Sequence, residues 1–125
     1  MVPPSTPGAK VTAGGWITVV VGDKGTFGLT AKASATGAPS GNLTYQDHGL
    51  LARTVKSTAI TSVTVTGNCA TILGNARVNG EPGVGFQVDV CDNGEPGKDS
   101  DTFSIVMSDG YMASGTLGGG NVQLH

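Results

Sequence analysis

Cys69-Ala70-Thr71-Ile72-Leu73-Gly74-Asn75-Ala76-Arg77-Val78 and Val84-Gly85-Phe86-Gln87-Val88-Asp89-Val90-Cys91 flank the pentapeptide Asn79-Gly80-Glu81-Pro82-Gly83. The two cysteines are equidistant from Gly80. A chain reversing at Asn79-Gly80-Glu81 sets Cys69 opposite Cys91, Ala70 opposite Val90, Ile72 opposite Val88 and Gly74 opposite Phe86. Apolar residues then meet apolar residues along one face, and both cysteines share the other. A one-residue slip would turn every apolar side chain to the wrong face, so this pattern specifies the register. Facing residues of an antiparallel pair have Cα atoms about 4.5–5.5 Å apart, within reach of a disulfide. The expectation is a Cys69–Cys91 cross-strand disulfide, against the alternative of two free thiols. A disulfide in turn implies an oxidising compartment, outside the cell or at its surface.

The same period-two alternation extends outward in both directions. Phe27, Leu29, Ala31 and Ala33 alternate with Gly28, Thr30, Lys32 and Ser34; Phe103, Ile105 and Met107 alternate with Ser104, Val106 and Ser108. That is the pattern of strands with one buried and one wet face. Glycine interrupts every window that might sustain a helical period. Turn chemistry recurs at Gly22–Gly25, Gly37–Gly41, Asn79–Gly83, Asn93–Gly97, Asp109-Gly110 and Gly118–Gly120. About nine or ten short strands are predicted, mostly joined by local hairpins. The expected fold is all-β, an up-and-down antiparallel β-barrel, with a β-sandwich as the alternative. At Asp109-Gly110 a strict two-residue turn would oppose Met107 to Met112 and break the phase of Ile105 with Ala113. A bulge or a longer turn is expected there.

With 125 residues, the chain supports one domain and not two. It carries 21 Gly, a net charge of −2 and only 13% charged residues. Such a balance lacks the cationic footprint that binds nucleic acid or an anionic membrane. No apolar run approaches the roughly 18 residues of a transmembrane helix, so no membrane insertion is expected. Residues 1–9 read as a Pro-rich linker or leader remnant, with an intact cytosolic start as the alternative. Residues 10–125 read as a single β-domain.

Several stretches together carry a family likeness: Val11-Thr12-Ala13-Gly14-Gly15-Trp16-Ile17, Leu43-Thr44-Tyr45-Gln46-Asp47-His48, Asp92–Gly97 followed by Asp101–Ile105, and Gly110-Tyr111 through Gly119–His125. From Lys10 to His125 the chain resembles a β-domain of bacterial secreted proteins, often placed after choice-of-anchor or other surface domains. The resemblance implies an extracellular module. It implies no defined activity and no catalytic residues.

Candidate sites are few. Five of the nine carboxylates lie between Asp89 and Asp101. Pairing Val90 with Phe103 sets Asp92 opposite Asp101 at the mouth of a loop holding Glu95 and Asp99. Facing carboxylates repel unless a cation or a donor separates them. Calcium, which takes six to eight oxygens, is the candidate cofactor for Asp92, Glu95, Asp99 and Asp101. The alternative is that Asp92 and Asp101 accept loop backbone amides. His48 and His125 are weak zinc candidates, since a zinc site needs three or four convergent ligands. Trp16, Tyr45 and Tyr111 are the aromatics left for ligand stacking, with core or barrel-mouth filling as the alternative for each. Nucleophile-elbow, P-loop, dinucleotide and zinc-protease motifs are all missing from the sequence.

The expected function is therefore non-catalytic: an accessory or structural module of a secreted or cell-surface bacterial protein, with calcium as a candidate stabiliser. The expected partners are other domains of a parent protein, a surface or glycan partner, or a second copy in a homodimer. A carbohydrate or small-ligand binding module is the first alternative. A metal-dependent enzyme using His48 and His125 is the second.

Overall fold

Nine strands make up the described part of the chain: β1 (Lys10–Val20), β2 (Asp23–Ala33), β3 (Pro39–Asp47), β4 (Arg53–Thr66), β5 (Cys69–Val78), β6 (Glu81–Cys91), β7 (Thr102–Met107), β8 (Met112–Thr116) and β9 (Gly119–Leu124). The structure is a computed structural model and describes residues 6–20, 23–48, 53–93 and 100–124. Glu95, Asp99 and His125, and most of the second Asn-Gly-Glu-Pro-Gly stretch, lie outside the described residues.

The β5–β6 hairpin forms in the register its apolar pattern demands. Cys69 pairs with Cys91, Ile72 with Val88 and Gly74 with Phe86, and the disulfide joins Cys69 to Cys91. The turn is tighter than expected. Asn79 (φ 52°) and Gly80 (φ 88°) form a two-residue connection with both central residues left-handed, the geometry that follows strand twist best. Val78 then pairs with Glu81, and a bulge places Pro82 and Gly83 opposite Arg77. This extra residue restores the register of the remaining ladder. The β7–β8 connection, by contrast, is longer than two residues. Ile105 pairs with Ala113, and Met107 donates its N–H to the Tyr111 carbonyl at 2.8 Å across Ser108–Gly110.

Strand β4 departs most from simple alternation. Val55, Ile60 and Val63 are all buried, yet their odd separations would put them on alternating faces of a regular strand. Register shifts at Ser57/Ala59 and Ile60/Ser62 each invert the phase once and bring all three to the interior.

All the strands belong to one antiparallel sheet, in the order β8-β7-β6-β5-β4-β3-β2-β1-β9. It curls into a barrel-like half-barrel. Phe27 of β2 stacks on Phe103 of β7 with ring centroids 3.9 Å apart, although four strands separate them in the sheet. Only a sheet folded over its own inner face brings such positions together. Tyr45 stacks on the same Phe103 ring at 5.7 Å. Ile17, Leu43, Ile72, Ile105 and Leu117 fill the rest of the interior and are almost wholly excluded from solvent. Each such side chain stabilises the fold by roughly 1.5–3 kcal/mol relative to exposure.

The ends of the sheet meet at a seam. Gly115 of β8 lies against Ile17 of β1, where an added Cβ would stand 3.4 Å from the Ile17 Cβ. Gly118 donates its N–H to the Trp16 carbonyl at 2.9 Å.

Candidate functional site

Asp101, just before β7, is fully buried. Its Oδ1 accepts the Asn93 N–H at 2.7 Å and its Oδ2 accepts the Val122 N–H at 2.8 Å. Its carbonyl accepts the Leu117 N–H at 2.9 Å. Of the two donors to the carboxylate, Asn93 belongs to the loop and Val122 to β9. Asp92 lies beside it at the loop mouth, its N–H donated to the Asn68 carbonyl at 2.8 Å. Asn93 donates its side-chain amide to the Ser100 carbonyl at 2.9 Å, which narrows the neck of the loop. Among the described residues, no three His, Cys, Asp or Glu side chains converge as a metal site.

His48 follows β3 at the surface, with Nε2 3.0 Å from the Thr26 hydroxyl. Trp16 is half-buried on the outer face of β1. One side of its indole rests on Gly118 and Gly119, where a Cβ would collide with the ring. The Lys24 ammonium lies 4.3 Å from the ring centroid, a cation–π contact.

Tyr45 and Tyr111 fill one mouth of the barrel. Tyr45 is wholly buried and Tyr111 nearly so. The Tyr111 hydroxyl donates to the buried Asp47 carboxylate at 2.7 Å, so the Tyr45 hydroxyl, 2.7 Å away, donates to Tyr111. Burial raises the Tyr45 phenol above its ordinary range. Burial also raises Tyr111 well above that range, and its bonds to Tyr45 and Asp47 add to the effect. Arg53 covers this cluster, its guanidinium 4.1 Å from the centre of the Tyr111 ring and 2.9 Å from Asp109. The backbone N–H of Tyr111, followed by Arg53, holds the Asp109 carboxyl below the usual carboxylate value. Gly25 makes room for the Tyr45 ring, because an added Cβ there would lie 2.5 Å from the Tyr45 hydroxyl.

An open depression lies on the outer face, away from these residues. Its volume is about 520 Å³, within the range of small-ligand sites. Gly14 and Gly28, paired with each other, form a floor without side chains. Thr12, Thr30, Asn42 and Gln123 stand along one side. A single cross-strand row runs through the floor: Asn121–Gly14, Gly14–Gly28, Gly28–Thr44, Thr44–Lys56 and Lys56–Arg77. The row ends in two exposed cations facing each other, beside a second hollow of about 250 Å³ lined by Thr54, Lys56, Arg77, Asn79 and Gly80. The sequence reading did not identify this trough. Its one signal was the alternation of Thr with Gly in β1 and β2, which reads equally well as an ordinary wet face. On β7 and β8 the outer face carries a different feature, the exposed pair Val106 and Met112.

The chain is thus an all-β, antiparallel, barrel-like protein with a filled interior and an open outer trough. No protein-family model, curated protein or solved structure matches it.

Proposed function

We propose that this protein is a non-catalytic accessory module of a secreted or cell-surface bacterial protein, and that it meets its partners through its outer face. The filled interior carries this reading. Phe27, Phe103 and Tyr45 stack across the barrel and leave recognition to the exterior. The disulfide supports an oxidising compartment. Fractionation of producing cells with thiol labelling tests the proposal. The expected result is protein in the medium or at the surface with both cysteines unreactive. Protein held inside the cell with two reactive thiols would overturn it.

A carbohydrate-binding module is the second reading, and the outer trough favours it. Hydroxyl and amide side chains at its rim match the donors and acceptors of a sugar chain. Trp16 adds an aromatic surface at the edge of the same face, though its ring is already engaged by Lys24 and two glycines.

A further inference from the structure

We infer that the trough on the outer face binds an acidic polysaccharide, its uronic carboxylates seated between Lys56 and Arg77 and its hydroxyls along the Gly14–Gly28 floor. This inference rests on the carbohydrate-binding reading and adds to it the charge class of the glycan. Lys56 and Arg77 are direct cross-strand partners, an arrangement that like charge makes unfavourable. Both are exposed, and neither forms an ion pair with a described carboxylate; the salt bridge among the described residues joins Arg53 to Asp109. An anion placed between them relieves the repulsion and gains charge-assisted hydrogen bonds, and the planar guanidinium suits a carboxylate.

The rest of the row selects the kind of anion. Chain-wide there are 7 cations against 9 carboxylates, which disfavours a densely charged polymer such as a nucleic acid. The floor runs across the strands, and from β1 to β5 it covers four strand spacings, roughly 19 Å. Backbone N–H groups there are committed to the ladders, so an extended peptide cannot add itself as a strand. Side chains alone read the ligand, and Thr12, Thr30, Asn42 and Thr44 offer hydroxyls and amides. A sparsely charged, hydroxyl-rich chain fits this surface.

Isothermal titration of the full chain with a short oligogalacturonate, and with its carboxyl-reduced neutral counterpart, tests the inference. The acidic oligomer is expected to bind about tenfold tighter or better, with the preference weakening as salt rises. The double variant Lys56→Gln/Arg77→Gln is expected to erase the preference. Gly28→Val is expected to reduce binding of both oligomers at least about tenfold while remaining folded, because a Cβ at Gly28 meets open space. Neutral binding equal to acidic binding, and lost in Gly28→Val, would overturn the acidic preference and keep the carbohydrate reading. Failure of the folded wild-type chain to bind either oligomer would overturn both. Equal binding of an oligoglutamate, also lost in the double variant, would replace the saccharide with an acidic peptide.

Discussion

The Asp101 carboxylate accepts the backbone N–H of Val122 at 2.8 Å, which joins the start of β7 to β9 across the two ends of the sheet. A side chain supplies here what a ladder supplies elsewhere. Asp101→Ala leaves the buried Val122 N–H and the part-buried Asn93 N–H without this acceptor, so the unfolding free energy is expected to fall by about 1–3 kcal/mol. Asp101→Asn keeps one acceptor oxygen and is expected to lose less. Urea unfolding of both variants is the check. Losses below about 0.5 kcal/mol for both, in the range of ordinary surface changes, would remove the seam role.

The disulfide closes a loop of 22 residues in sequence. Loop-closure entropy for that length predicts stabilisation of about 3 kcal/mol relative to the reduced chain. Cys69→Ser/Cys91→Ser is expected to fold in the same register, since the apolar pairs of the hairpin remain, but to melt several degrees lower. Thermal unfolding with and without reductant measures the difference.

Tyr45 and Tyr111 are the whole tyrosine content of the chain, and both phenols are raised in the folded state, chiefly by burial. A raised phenol contributes stability that is fully present below the unfolded phenol value, about 10. That contribution declines once pH passes this value, because the unfolded chain then ionises first. Absorbance at the tyrosinate band is therefore expected to stay flat past pH 10 and then rise in one step with alkaline unfolding. A gradual rise before loss of circular dichroism would show a hydroxyl open to solvent.

Two glycines should respond in opposite directions. A Cβ at Gly28 meets nothing within 4 Å, whereas at Gly25 it meets the Tyr45 ring and hydroxyl. Gly28→Val is expected to raise stability by roughly 0.5–1 kcal/mol, since a β-branched residue suits a strand better than glycine. Gly25→Ala is expected to lower it by about 1–3 kcal/mol through overpacking. Chemical denaturation of the pair reads both signs in one experiment.

The legible part of the fold lay where two signals agreed. Cys69 with Cys91 and Ile72 with Val88 point to one register, and the structure has it. Phe27, Phe86 and Phe103 follow plain alternation and are buried. Strand β4 was not legible in this way. Without its two register shifts, Lys56 would stand opposite Asn79; with them it stands opposite Arg77. No local pattern announces a bulge, so the cationic end of the trough could not be seen in advance. Gly14 and Gly28 posed a different difficulty. Each reads as a strand-weakening residue until the ladder sets one beside the other. The acidic loop drew attention because its charges cluster in sequence, and the buried partner of Asp101 proved to be the amide of Val122, 21 residues away.

Among the described residues, every ladder but one joins strands that are consecutive in sequence; the exception pairs β1 with β9, Val11 against Leu124 through Trp16 against Gly119. Hairpins close short loops at small entropic cost, while this last pairing must draw together the two ends of the domain. Strands β1 to β8 are joined by such hairpins, and the β1–β9 ladder is the long-range pairing that closes the sequence. Because β9 also carries the Val122 amide that Asp101 accepts, a domain cut before β9 would leave that buried carboxylate with one backbone N–H fewer. Closure of the sheet and pairing of a buried charge are thereby coupled at a single residue.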